Sequence, residues 1–450
     1  MPQIAAALGS NGILIAAIAL FLATYAGLMA FGAARAYIAL GSACLFVLMG
    51  ILPVGKVFGA VDWNVILMIA GTMGTVSLFI ESKMPARMAD FLIEKSPDLR
   101  WAAILLSVFA GVISAFVDNV ATVLMVAPVA VTAAKKLKVS PVKIIIAISI
   151  ASNLQGAATL VGDTTSILLG GAANMNFLDF FFFKPEGRAT LGVGMFWIVQ
   201  AAFLAATAIL LWMFRGDKQK VSLNEKTRVD DYFPSALLLG TIVCLILVSF
   251  LPDSFSAGGV VITKPHIING LICAAFFIAG LIRNLAAGHG LESVKRVLKE
   301  IDYFTLLLLA SLFIVIGGLV ESGAVERIAD AFTAVSGGSL FVIYTILVWF
   351  SVIISAFVDN IPYTATMLPV VAIIARNMGV PPYVLYFGML SGATLGGNLT
   401  PIGASANIAS LGILRKEGYE VSAGTFMKMS VPYTLTAAAV GYILIWPLWR

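Results

Sequence analysis

The chain has 450 residues, 60% of them hydrophobic and 11% charged, with a mean hydropathy of +1.01 and a net charge of +5. A soluble domain is about half apolar and about a quarter charged, so this composition excludes a soluble globular protein and points to a polytopic membrane protein. The modest positive charge gives no footing for nucleic acid and is better explained by membrane topology.

Crossing a hydrocarbon core of ~30 Å takes about 20 apolar residues. In chain order, such runs lie at 12–32, 36–53, 62–80, 142–174, 190–214, 233–251, 268–285, 303–321, 383–413 and 427–448. The first reads as a membrane helix rather than a secretion signal, because residues 1–11 hold no Lys or Arg and the run is longer than a signal h-region. Segments 101–134 and 339–375 are too long for one crossing, and each has a polar break at its centre. Each is expected to be a re-entrant hairpin that enters and leaves on one face. Cys44, Cys244 and Cys273 lie in apolar runs without ligand spacing and read as packing residues. His266 and His289 fall in connecting segments and read as solvated. The run of four Phe at 180–183 reads as interfacial packing. No cofactor is expected.

The sequence repeats itself. Asp62, Glu81-Ser82, Arg87 and Asp90 recur 240 positions later as Asp302, Glu321-Ser322, Arg327 and Asp330. SAFVDN at 114–119 recurs at 355–360, and GAATLVGDTTS at 156–166 lies over GNLTPIGASAN at 397–407, both at offset 241. Three blocks in one order at one offset divide the chain into two homologous halves, 1–215 and 232–450, joined by a charged cytoplasmic linker at 216–231. With five crossings in each half, the second half is inverted relative to the first. Of the 28 Lys and Arg, 21 then fall on one side and 7 on the other. The positive-inside rule places the first side in the cytoplasm and both termini outside. The expected fold is therefore an all-α polytopic membrane protein. It has two inverted-topology repeats of five transmembrane helices, each with a re-entrant hairpin and a broken helix, N-out and C-out.

Non-helical backbone at membrane depth is tolerated only where protein or a water-filled cavity surrounds it. Each half has two such places. One is the hairpin tip, at Asp118-Asn119 and Asp359-Asn360, with Thr122 and Thr364 one turn further on. The other interrupts the runs 142–174 and 383–413. Asn153, Gly156, Thr159, Gly162, Asp163, Thr164 and Thr165 lie in the first, and Gly397, Asn398, Thr400, Pro401, Gly403, Ser405 and Asn407 in the second. Half-helix ends at mid-membrane attract ions, anions at N-termini and cations at carbonyl ends. An intramembrane Asp costs roughly 2.5–3.5 kcal/mol on insertion scales and marks a cavity or a partner. Asp118, Asp163 and Asp359 have no Lys or Arg in the same stretches. Such carboxylates can carry a proton, or ligate Na⁺ through oxygen together with Asn119 and Asn360. The plainer readings are N-capping by Asp and Asn and close packing through Gly and Thr. For Asp62, Asp302, Glu81 and Glu321, at helix ends, a capping or solvated role is the expectation.

SAFVDNVATVLMVAPV, GAATLVGD and GNLTPIGASAN resemble the ArsB/NhaD permeases of the ion transporter superfamily over almost the whole chain. The first half looks especially like the melanosomal P-protein branch, and the dicarboxylate and citrate symporters look more distant, with Ser-Asn-Thr at their hairpin tips. The resemblance implies inverted repeats and an alternating-access cycle of elevator type on a scaffold that dimerises. It also implies site residues Asp118, Asn119, Thr159, Gly162 and Asp163, and Asp359, Asn360, Asn398, Thr400, Gly403, Ser405 and Asn407. Many relatives carry Pro-Pro-Asn after the first Gly-Asp, where this chain has Thr164-Thr165-Ser166.

The functional expectation is a secondary ion transporter of the cell (inner) membrane, coupled to Na⁺ or H⁺, for a small inorganic ion or small anion. Cation/proton antiport is slightly favoured, because three carboxylates and no intramembrane Arg suit a cation better than a carboxylate. Cation-coupled transport of a carboxylate or arsenite is the alternative, and a passive channel a remote one. Membrane lipid and a second copy of the chain are the expected partners. An intramembrane aspartyl protease is disfavoured, since Leu160-Val161-Gly162-Asp163 lacks the first Gly of a Gly-x-Gly-Asp motif. No phosphate-binding loop of the G-x-x-x-x-G-K-[ST] type is present.

Overall fold

The computed structural model of the chain describes residues 2–185, 190–221, 227–229, 231–252, 254–257, 260–288 and 290–450. Arg188, Lys226 and His289, used in the readings above, lie outside the described residues. The first half contributes α1 (Pro2–Ala30), α2 (Arg35–Leu48), α3 (Val54–Ala60), α4 (Trp63–Glu81), α5 (Met84–Glu94), α6 (Leu99–Ser114), α7 (Asn119–Lys136), α8 (Val142–Gly156), α9 (Thr164–Ala172) and α10 (Met195–Met213). The second contributes α11 (Phe233–Ser249), α12 (Ile268–Ala286), α13 (Gly290–Glu300), α14 (Tyr303–Glu321), α15 (Ala324–Ser336), α16 (Leu340–Ser355), α17 (Asn360–Asn377), α18 (Tyr383–Gly396), α19 (Ser405–Lys416) and α20 (Ala423–Trp449). Two short antiparallel strand pairs, Phe182–Phe183 with Gly192–Val193 and Ser254–Ala257 with Val260–Thr263, decorate the loops.

Among the described residues, six helices are long and apolar enough to cross a membrane unaided: Asn11–Ala30 of α1, α4, α10, α12, α14 and α20. The remaining expected crossings are shorter or interrupted, and the reason is local. The runs at 142–174 and 383–413 break into α8 and α9, and α18 and α19. The run at 36–53 forms only the 14-residue α2, about 21 Å at 1.5 Å per residue. The two over-long segments each fold as a pair of helices around a short tip, 115–118 between α6 and α7 and 356–359 between α16 and α17. Ahead of the second pair, α15 meets α16 at a bend of 116°.

Helix starts follow capping chemistry. Asp62 accepts the Val65 N–H at 3.1 Å to begin α4, and Asp302 accepts the Thr305 N–H at 2.9 Å to begin α14. These two acids of the repeat are caps. Glu321 pairs with Lys56 at 2.6 Å.

The halves interlock. α4 packs on α12, and α2 on α14, while α6 packs on α8, α16 on α18, and α10 on α20. Cys273 is fully buried in α12, where its backbone touches the Gly71 position of α4. It therefore packs as expected, whereas Cys44 is exposed. The Phe run is less peripheral than its composition suggests. Phe180 and Phe183 are buried, and the Phe183 ring stands 4.9 Å from Tyr383 and 5.8 Å from Trp449.

Polar contacts between distant loops tie specific segments together. Lys135 pairs with Glu417, Lys143 with Asp217 at 3.3 Å, and Arg283 with Asp231 at 2.8 Å. The Arg100 N–H donates to Asp217 O at 2.8 Å, and Trp449 Nε1 donates to Val193 O at 3.0 Å.

Gly71 tests the helix interlock. A Cβ there would meet the Cys273 carbonyl carbon at 2.4 Å, backbone that cannot swing aside. Gly71→Ala is expected to destabilise the purified protein by about 1–3 kcal/mol, read as a lower melting temperature in detergent. An unchanged melting temperature would mean that α4 and α12 are not in this contact.

Candidate functional site

The two polar breaks of each half meet. Thr159, in the turn after α8, donates its hydroxyl to Ala115 O at the tip of the first hairpin. Thr400, in the turn after α18, does the same to Ala356 O at the tip of the second. Glycine is required beside each. A Cβ on Gly162 would meet Gly156 O at 2.7 Å and Ala115 O at 2.9 Å, and one on Gly403 would meet Gly397 O at 2.7 Å and Ala356 O at 2.8 Å. Thus Thr159, Gly162, Thr400 and Gly403 build the tips. The two hydroxyls pair tip carbonyls, and the two glycines let the backbones approach.

A buried amide network joins the halves behind the tips. Asn119 Nδ2 donates to Asn153 Oδ1 at 2.7 Å. Asn153 Nδ2 donates in turn to Thr394 O at 2.9 Å and to Asn398 Oδ1 at 3.1 Å. Asn398 Nδ2 then reaches Ile150 O at 2.9 Å. Ser149 Oγ donates to Asn407 Oδ1 at 2.8 Å, and Asn407 Nδ2 to Gly397 O and Thr400 O, both at 3.0 Å. Asn153, Asn398 and Asn407 are fully buried, so this network is structural glue between α8 and α18. Thr122 and Thr364 are also fully buried, and the Thr364 hydroxyl has no partner among the described residues.

The carboxylates lie in front. Asp118 caps α7, accepting N–H bonds from Val120 at 3.0 Å and Ala121 at 3.1 Å. Asp163 caps α9, accepting from Thr164 N–H and Thr165 Oγ1, each at 2.8 Å, and from Asn360 Nδ2 of the other half at 3.3 Å. Its place in the second half is taken by Ala404, which gives α19 no side-chain cap. Asp359 caps α17 through the Ile361 N–H at 3.1 Å and also accepts Ser405 Oγ at 3.2 Å. Asp118 and Asp163 line the same cavity.

One residue escaped the sequence reading. Arg35, counted there as a cytoplasmic loop cation, donates Nη1 to Asp359 Oδ2 at 2.6 Å. This corrects the expectation that no Arg reaches the site. Chain neighbourhood could not show it, because 324 positions separate the partners. The available signal was its isolation, since Arg35 is the only charged residue in the first 55 positions.

Arg35, Asp118, Asn119, Asp163, Thr164, Asn360 and Ser405 line a single cavity of about 1110 Å³. Its walls continue past Val76, Ser77 and Ile80 of α4 to a charged mouth that includes Glu81, Lys83, Arg296 and Asp302. Of the expected site residues, Thr122, Asn153, Thr159, Gly162, Thr364, Asn398, Thr400, Gly403 and Asn407 do not line it, and neither does Asp359. Among the described residues, no group of three or more His, Cys, Asp or Glu could hold a metal ion on its own. A cation here would draw on amide, hydroxyl and backbone oxygen as well as carboxylate, the donor set that suits Na⁺.

A helical membrane protein whose broken helices converge on one charged cavity belongs to the class of membrane transporters. The model of the citrate transporter family (CitMHS) matches residues 18–392, and the chain belongs to that family. It is 30% identical to a 46 kDa membrane protein of Mycobacterium leprae, over 96% of this chain and 98% of that one. It is 32% identical to an uncharacterised transporter of Mycobacterium tuberculosis over the same shares. The P-protein likeness holds at 24% identity to the human P protein, over 86% of this chain and 54% of that protein. The Alcanivorax borkumensis YdaH transporter shares the fold at a TM-score of 0.57, with 16% identity, over 87% of this chain and 86% of that one. The family and these transporter relatives mark a multi-pass membrane transporter rather than an enzyme.

Asn153→Ala would remove the partner of Asn119 Nδ2 and of Asn398 Oδ1 in a buried interior. A lost buried partner costs about 1–3 kcal/mol, so thermal unfolding in detergent is expected at a clearly lower temperature than wild type. Equal stability would show that water replaces Asn153 and that the network is not dry.

Proposed function

We propose that the protein is a secondary active transporter that carries a small carboxylate anion together with H⁺ or Na⁺. The observation that carries this reading is the composition of the cavity. Arg35 offers an anion contact, while Asp118 and Asp163 have no basic partner among the described residues. Membership of the citrate transporter family favours a carboxylate as the anion. The sequence favours cation/proton antiport on two grounds, three carboxylates and no intramembrane Arg, and Arg35 weakens the second. Antiport remains the second reading, favoured by the two unpaired carboxylates.

We read the halves 1–215 and 232–450 as inverted repeats joined by the linker 216–231, close to the ArsB/NhaD permeases and carrying ten crossings in a cell (inner) membrane, with both termini outside. The loop contacts support this. Lys135–Glu417, Lys143–Asp217, Arg283–Asp231 and Lys56–Glu321 each join segments assigned to one face, as does the Trp449–Val193 bond. On that topology the cavity mouth, with Lys83 and Arg296, opens to the cytoplasm. Transport proceeds by alternating access, with the hairpin-bearing helices moving as an elevator against a dimeric scaffold.

Proteoliposomes with imposed gradients provide the test. Inward Na⁺ or H⁺ gradients are expected to drive citrate or succinate uphill, and Asp118→Asn and Asp163→Asn to remove the gradient dependence, lowering uptake at least tenfold. Na⁺/H⁺ exchange without carboxylate movement would favour antiport. Flux that never runs uphill would identify a channel.

A further inference from the structure

Arg35 opens α2 and lines the cavity. Its side chain is 24% exposed, while that of its partner Asp359 is 9% exposed and does not line the cavity. Only Nη1 of the guanidinium is engaged, by Asp359 Oδ2 at 2.6 Å, and among the described residues Arg35 has no other hydrogen bond or ion pair. A guanidinium carries five N–H donors in a planar fork. The donors on Nε and Nη2 are therefore without a protein acceptor, beside a cavity large enough for a small molecule. Asp359 is itself fixed, by the Ile361 N–H and by Ser405 Oγ. A second tie holds the same region, since Tyr25 of α1 donates its hydroxyl to Pro362 O at 2.6 Å, in the first turn of α17.

We propose that Arg35 is the carboxylate-binding residue of the cavity and that Asp359 is its positioning residue, an inference that rests on the anion-transport reading above. The two SAFVDN tips then have unequal roles. Asp118 stands at the cavity with no ion-pair partner among the described residues, while Asp359 holds Arg35 in place with its free donors available to the solute. A carboxylate presents two coplanar oxygens, which match two N–H donors of the fork. Lysine, a point charge with no fork, does not reproduce that match.

The test is thermal stabilisation of the full-length protein in detergent, with citrate, succinate, sulfate or phosphate as probes, each with and without Na⁺ and at two pH values. Citrate or succinate is expected to raise the wild-type melting temperature. Arg35→Gln and Arg35→Lys are each expected to weaken the response at least tenfold in half-saturating concentration, and Asp359→Asn to weaken it less. The double variant Arg35→Gln/Asp359→Asn removes both charges together, so it keeps the test valid if the single Arg35→Gln variant does not fold. It should respond no worse than Arg35→Gln, because a positioning residue has no effect once its target is gone. Wild type and Arg35 variants stabilised equally by carboxylates would overturn the role of Arg35 and leave the transport reading standing. A wild type stabilised by no anion would overturn both. Stabilisation by sulfate or phosphate but not by carboxylates would overturn the ligand class.

Discussion

Everything at the centre of this molecule depends on one constraint: backbone that leaves a helix inside a membrane must find its hydrogen bonds in protein. Each half meets it the same way. The turn after one broken helix (Thr159, Thr400) donates to the tip of a neighbouring hairpin (Ala115 O, Ala356 O), and a glycine lets the two backbones touch. Once the tips are held, their N-cap carboxylates and amides have fixed places. A cavity can then be lined by residues from both tips without the surrounding backbone becoming unpaired. The amide ladder through Asn119, Asn153 and Asn398 continues the same solution across the middle of the protein.

The repeated scaffold carries an unrepeated charge pattern. Asp163 is answered by Ala404, and among the described residues Asp359 has an arginine partner where Asp118 has none. The two tips share their hydrogen-bonding geometry, and on the proposed reading the departures from it mark separate tasks for the halves. A site that binds two unlike species needs such differences. A strictly symmetric one would offer the same ligands twice.

The sequence made the tips legible and the third dimension illegible. The blocks repeated at offset 241 located the two hairpin tips and the breaks in 142–174 and 383–413, because glycine, threonine and aspartate are conspicuous in apolar runs. Sequence could not sort cavity lining from scaffold. Asn407 and Thr400 look like ligands by residue type, yet their polar atoms are consumed by backbone and by each other's turns. Nor could it reach Arg35, whose role exists only because α2 packs against α14 and brings its first residue to α17.

Charge balance connects the geometry to coupled transport. Among the described residues, the caps Asp118, Asp163 and Asp359 are accompanied by one guanidinium, that of Arg35 on Asp359. Two unit charges about 4 Å apart interact by roughly 4 kcal/mol at the effective dielectric of a protein surface. A carboxylate solute entering beside ionised Asp118 and Asp163 would meet repulsion of that order, which one arginine already shared with Asp359 does not offset. Protonation of those acids, or a Na⁺ held between them and the neighbouring amide and hydroxyl oxygens, removes the repulsion. On the proposed reading, dependence on a cation is therefore a consequence of having more acids than bases at the tips, and it needs no separate coupling device.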